Sequence, residues 1–284
     1  MASRAPARAV GCLVMAVVVL AALGVGAFLW RQQGDLVTPL LAQQRCVADA
    51  ADATVTIDLE QAHFSSIIVG LSIKRGLAPR AASIAMATVY QETDIRNLDY
   101  GDRDSVGLFQ QRPSQGWGTV EQLMDPYYAT NKFYDELVKI NNWETDDIND
   151  VAQKVQRSGY PEAYRDHETD ARSLASVLTG ESTAGFSCLD KTDAEGDAAG
   201  LARSLKRTFG SVAVRRNGTM ITINPGSTRL GWAYAHHAVA NSSYFGVTDV
   251  QISDQRWRTS TETLPEWSAA TPASDTGSVE ITVR

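Results

Sequence analysis

The sequence has no tract of clustered lysine and arginine; its 26 basic residues are outnumbered by 33 acidic ones, for a formal charge of −7. Nucleic-acid binding works chiefly by neutralising phosphates with such clusters, so that class of partner is set aside. Cysteine is scarce, with three residues. Cys12 sits at the start of an apolar run, and the remaining pair, Cys46 and Cys188, cannot complete a four-ligand zinc site. His63, His167, His236 and His237 show no metal-ligand spacing, and adjacent residues on a helix point about 100° apart. Neither a metal nor a cofactor is implied. Asp94, Asp99, Asp102 and Asp104 lack the spacing of an EF-hand calcium loop. With 44% hydrophobic and 21% charged residues, the chain has the make-up of one or two globular domains rather than of a collagenous, disordered or multi-span membrane protein.

What is present begins with a run from Ala9 to Trp30 that carries no charge and is bounded by Arg8 and Arg31. At about 1.5 Å per residue it reaches roughly 33 Å, enough to cross a bilayer. A cleaved signal peptide is the alternative, and would leave a secreted protein. Its apolar stretch is longer than that of such peptides normally is, and it ends in Phe28-Leu29-Trp30-Arg31, an interfacial anchor rather than a small-residue cleavage site. Arg4 and Arg8 precede it, so the N-terminus is expected in the cytoplasm and the remainder outside. Cys46 and Cys188 then lie on the exported side, where a disulfide between them is chemically permitted.

From Asp58 to Gly180 the apolar spacing is helical. Leu59, Phe64, Ile67, Ile68, Leu71 and Ile73 mark one helix; Pro79 opens another, carried by Ala81, Ile84, Ala85, Thr88 and Val89. Further helices are expected over Asp125-Pro126 to Ile140, Asp146 to Ser158 and Pro161 to Leu178. Residues 183–200, rich in Ala, Asp, Gly and Thr, read as a linker. Beyond it come a helix over Leu201–Phe209, a hairpin around Asn217-Gly218, a helix over Leu230–Phe245 and two short strands, Val247–Ile252 and Gln255–Thr259.

Glu92 falls on the line of the apolar stripe at the end of its helix. Burial disfavours a charged carboxylate and raises its pKa, which is the state a general acid needs. The competing reading is a capping glutamate, or one paired with Arg96. Fifteen positions separate Glu92-Thr93 from Gly107-Leu108-Phe109-Gln110, and these resemble the E-S and G-L-M-Q motifs of the lysozyme-like lytic transglycosylases that cut peptidoglycan. The string from Asn97-Leu98-Asp99-Tyr100-Gly101 through Gln110-Gln111-Arg112-Pro113-Ser114-Gln115-Gly116-Trp117-Gly118 is similar to membrane-anchored, lysozyme-like proteins of actinobacteria. So is Val155-Gln156-Arg157-Ser158-Gly159-Tyr160-Pro161-Glu162-Ala163-Tyr164.

The resemblance implies a mainly α lysozyme-like domain, preceded by one N-terminal transmembrane helix and followed by a small α+β domain. It implies Glu92 as the catalytic acid. Thr93, Gly107, Leu108, Phe109, Gln110, Trp117, Gln156, Tyr160 and Tyr164 are then the expected substrate-binding residues, and glycan strands of peptidoglycan the partner. Thr93 replaces the family's usual serine, and the family's A-Y-N motif is not present as such; Gln156–Tyr164 falls where it is expected. Hydrolytic glycosidases generally use two carboxylates, whereas this family works with a single glutamate that acts as acid and then base, the substrate's own C6 hydroxyl replacing water. A non-hydrolytic cleavage is therefore favoured. The reading of a different class is a catalytically silent wall-binding or scaffold protein.

Gly231-Trp232-Ala233 and Gln255-Arg256-Trp257-Arg258 resemble C-terminal modules of some actinobacterial exported proteins, with no role supplied. The expected organisation is 1–8 cytoplasmic, 9–30 membrane anchor, 31–54 stalk, 55–182 lysozyme-like domain, 183–200 linker, 201–267 small α+β domain and 268–284 flexible tail.

Overall fold

The computed structural model describes residues 43–51, 53–160, 162–273 and 277–284. Its first two strands, β1 (Arg45–Asp49) and β2 (Thr54–Ile57), form an antiparallel pair in which Cys46, Ala48, Val55 and Ile57 face inward, the period-2 burial expected of a half-covered sheet. Asp58 then starts α1 (Leu59–Lys74) through a capping box, accepting from the Gln61 amide while the Gln61 side chain accepts from the Asp58 amide. Buried residues lie on every face of α1, because helices surround it. Gly70 is needed there: a Cβ at that position would overlap the side chain of Thr208.

Pro79 opens α2 (Pro79–Thr93), in which Ala81 to Val89 are all buried. Behind it follow α3 (Val120–Met124), α4 (Pro126–Leu137), α5 (Ile148–Gln156) and α6 (Glu168–Leu178). The small side chains of α2 allow α6, α1 and α5 to approach closely. Tyr164 and a short 3-10 turn, Arg165–His167, precede α6, so the helix expected from Pro161 begins later; Pro161 itself lies outside the described residues.

After α6 comes β3 (Phe186–Leu189), fully buried and antiparallel to β1, giving a three-stranded sheet of order β2-β1-β3. Cys46 and Cys188 are cross-strand partners and are joined by a disulfide, with Cα atoms 4.0 Å apart. The rest comprises α7 (Ala198–Phe209), β4 (Val214–Asn217), β5 (Met220–Ile223), α8 (Thr228–Ala240), α9 (Ser242–Phe245), β6 (Val247–Ile252), β7 (Gln255–Arg258), β8 (Ser268–Ala269) and β9 (Val279–Val283). The second sheet is antiparallel, of order β4-β5-β9-β6-β7-β8. Helix α8 lies between this sheet and the helices, touching β6 and β9 as well as α1, α6 and β3.

This architecture corrects the expected fold class. With 43% helix, 17% strand and two antiparallel sheets, the chain is not a mainly α domain followed by a small separable module. Residues Gln44–Arg284 form one compact unit with a shared hydrophobic core. The physical reason is α8, apolar enough to be buried on both sides. Two indoles reinforce it: Trp257 donates to Ser187 Oγ (2.9 Å) and Trp267 to the Phe186 carbonyl (2.8 Å). The stretch read as a linker, 183–200, thus carries β3. The stretch read as a flexible tail, 268–284, supplies β8 and the inner strand β9, and the expected stalk contains β1. The expected transmembrane helix 9–30 and the segment 1–8 lie outside the described residues; among the described residues no helix is long and apolar enough to cross a membrane.

Candidate active site

Helix α2 delivers Glu92 to its C-terminal end and then stops abruptly. Asp94 and Ile95 both adopt left-handed backbone conformations, φ 51° and 57°. For β-branched Ile95 that is a costly conformation, held here because its side chain is fully buried and its amide bonds to the Val89 carbonyl (3.0 Å). The reversal throws the following loop, residues 96–112, back across the end of the helix. Thr93, buried, bridges the two: its hydroxyl lies 2.9 Å from the Leu108 carbonyl and 3.1 Å from that of Val89.

Gly107 lets the loop close. Its φ is 77°, and a Cβ there would meet the backbone carbonyl of Leu123; its amide bonds to the Leu98 carbonyl (2.6 Å). Leu108 and Phe109, expected to line the cleft, point into the core instead. Phe109 stacks on Phe133 with ring centroids 4.7 Å apart, and both Leu108 and Phe109 are fully buried. Their contribution to the site is through the backbone. Gln110, left-handed at φ 47°, donates to the Tyr100 carbonyl (3.2 Å), tying the loop to itself.

The site's polar centre is the Glu92 carboxyl. Tyr164 donates to Oε1 at 2.7 Å and the Gln156 amide donates to the same oxygen at 3.2 Å, while also donating to the Phe109 carbonyl at 2.7 Å. Three separate elements, α2, α5 and the turn before α6, therefore converge on one oxygen, and Oε2 takes neither bond. Burial pushes the Glu92 pKa above the usual carboxylate range, opposed by the Tyr164 and Gln156 hydrogen bonds. The helix C-terminus acts in the same direction as burial, since the carbonyl ends of the helix disfavour a negative charge. Burial, with the Glu92 charge beside it, pushes the Tyr164 phenol up, so it stays a donor. Arg96 is not the partner of Glu92; it pairs with Asp58 and, at 2.7 Å, with Glu60.

Tyr160 and Tyr100 present exposed rings, at 77% and 68% of their full exposure. Trp117 is half-buried against the core, its carbonyl accepting from the Tyr128 hydroxyl (3.2 Å). Sequence reasoning did not assign two residues that hold the loop. Asp104 accepts from the Ser114 amide (2.8 Å) and from Arg112 Nε (2.8 Å), which hold its carboxyl well below the usual range. Asn97 donates to the Met124 carbonyl (2.9 Å). The signal for the first was an Asp and an Arg of opposite charge flanking the glycine turn; Asn97 carried none. His236 and His237 are buried in α8, where His236 Nδ1 lies 2.8 Å from the Val177 carbonyl. A scan against protein-family models finds no match to the chain, and neither does a search of curated proteins.

Proposed function

We propose that the protein cleaves the glycan strands of peptidoglycan with Glu92 as general acid and then base. The observation that carries this reading is the environment of Glu92: half-buried, at a helix C-terminus, bonded by two neutral donors on one oxygen and, among the described residues, by no cation. Burial favours the protonated form of a carboxyl so placed, and with both donors on Oε1 the proton sits on Oε2. It protonates the glycosidic oxygen as the bond breaks; the positive sugar is stabilised by its own N-acetyl group, and Glu92 then accepts the proton of the C6 hydroxyl as that oxygen closes an anhydro ring. Among the described residues no carboxylate belongs to the groups that shift Glu92, as the single-glutamate route requires and the closely paired carboxylates of a retaining hydrolase do not. Tyr100 and Tyr160 supply faces on which sugar rings stack. The buried Cys46–Cys188 disulfide supports action outside the reducing cytoplasm.

The test is release of soluble fragments from purified peptidoglycan by the wild type and by Glu92→Gln. Release by the wild type alone supports the reading. Binding without release by either protein overturns it in favour of a wall-binding scaffold.

A further inference from the structure

A concavity of about 410 Å³ opens on the six-stranded sheet beside β7, at a set of residues unrelated to Glu92. Arg256, Arg258, Ser260, Glu266, Ser268 and Thr271 supply its polar lining. Its volume is that of a small-molecule site. The strand alternation explains the two arginines: Trp257 between them points into the core and is fully buried, so both guanidiniums emerge on the opposite face.

Those guanidiniums are held in place. Asp249, the cross-strand partner of Arg258 on β6, takes Arg256 through Nε (2.7 Å) and a terminal nitrogen (2.6 Å) and takes Arg258 through Nε (3.1 Å). Its side chain is only 17% exposed. Arg258 is 66% exposed, and among the described residues its contact runs through Nε alone, which leaves the terminal nitrogens facing outward. Glu266 brings the opposite charge to the same cleft and forms no ion pair among the described residues. Hydroxyls of Ser260, Ser268 and Thr271 accompany the two charges, with Ala269, Ala270 and Pro265 as apolar surface.

A cleft of this kind discriminates by charge pattern. A phosphate gains from Arg258 and loses from Glu266, whereas a molecule carrying both a carboxylate and an ammonium satisfies the two at once. We propose that this cleft binds the zwitterionic head of an amino acid, its carboxylate on Arg258 and its ammonium on Glu266. The head can belong to a free amino acid or to the side chain of a diamino-dicarboxylic acid in a peptide branch, which keeps both groups on one carbon, and the experiment separates these sources.

The experiment follows the arginine Nε–H and the backbone amide signals of residues 255–271 by NMR while alanine, propionate, alaninamide and inorganic phosphate are titrated into the protein. Alanine is expected to saturate the signals in the millimolar range, with propionate and alaninamide each about tenfold weaker, the loss of one charge-assisted bond. Arg258→Gln and Glu266→Gln are each expected to weaken alanine about tenfold, with unchanged melting temperatures. Arg216→Gln, on the far edge strand β4, is expected to leave binding unchanged. Muropeptides released by an unrelated hydrolase form the second arm: tighter binding than alanine assigns a peptide branch, and equal or weaker binding a free amino acid. The proposal is overturned by the absence of saturation below ~10 mM, by propionate or phosphate binding as tightly as alanine, or by Glu266→Gln having no effect. None of these readouts depends on Glu92.

Discussion

Acid should loosen this fold through α8. His236 and His237 are buried where the chain's two sheets and its helices meet, and among the described residues Nε2 of His236 has no hydrogen-bond partner. A second proton would be placed in the core, where burial outweighs the help of the Val177 backbone at His236 and of the Ser66 backbone at His237. Burial pushes His236 down to about 4; burial, aided by His63 nearby, pushes His237 down to about 3. Both folded values lie below the unfolded value of about 6.5. Between those limits the unfolded chain binds more protons, so stability falls as pH drops. At pH 5 each histidine costs about 2 kcal/mol relative to neutral pH, and the pair about 4 kcal/mol, from 1.36 kcal/mol per pH unit. His63, also lowered by burial, acts in the same direction. Glu92, raised, acts in the opposite one, because its folded form keeps a proton that the unfolded chain releases. The assay is urea unfolding at pH 7 and pH 5 for the wild type and for His236→Gln/His237→Gln, which cannot titrate at those positions; His236→Gln alone should remove about half of the effect. Equal pH dependence in wild type and variants, or higher stability of the wild type at pH 5, would refute the reasoning.

Three further outcomes follow from the site and its supports. Reducing the disulfide should cost up to about 5 kcal/mol by loop-closure entropy, since Cys46 and Cys188 are 142 residues apart; comparing urea midpoints with and without reductant measures it. Gly107→Ala, which forces a Cβ against the Leu123 carbonyl at φ 77°, should cost about 2 kcal/mol or more in stability and reduce glycan release, whereas Gly116→Ala, with nothing within 4 Å, should cost less. Tyr164→Phe removes the bond that favours the charged form of Glu92, so the Glu92 pKa should rise and the basic limb of the pH–activity profile move to higher pH; an unmoved limb would mean that Tyr164 does not hold the carboxyl.

The helices were legible because each carries its own signal. Pro79 at a first turn, the apolar spacing through Val89 and the position of Glu92 on that stripe place α2 at Pro79–Thr93, and Asn217-Gly218 marks the β4–β5 hairpin. The strands that overturn the mainly α reading have partners far away in the chain. β1 pairs with β3 across more than a hundred residues, and strands of four or five residues alternate too briefly to be separated from loops. β9 did have a signal, the alternation of Val279, Ile281 and Val283, all buried, masked by the polar stretch before it. At the site, the spacing from Glu92 to Gly107 locates the turn but not the direction of its side chains: Leu108 and Phe109 look inward because the left-handed residues on either side of the loop rotate them there. Tyr164 was expected as a substrate contact, and its place beneath Glu92 follows from the turn before α6, which local sequence does not encode.

The most direct measurement is mass spectrometry of the products released from purified peptidoglycan by the wild type and by Glu92→Gln. Anhydro-ended fragments from the wild type alone are the expected result, because a half-buried glutamate on which, among the described residues, no second carboxylate acts regains its proton from the C6 hydroxyl. Reducing-end fragments would contradict the single-glutamate mechanism, and fragments of either kind released equally by Glu92→Gln would contradict the central role of Glu92.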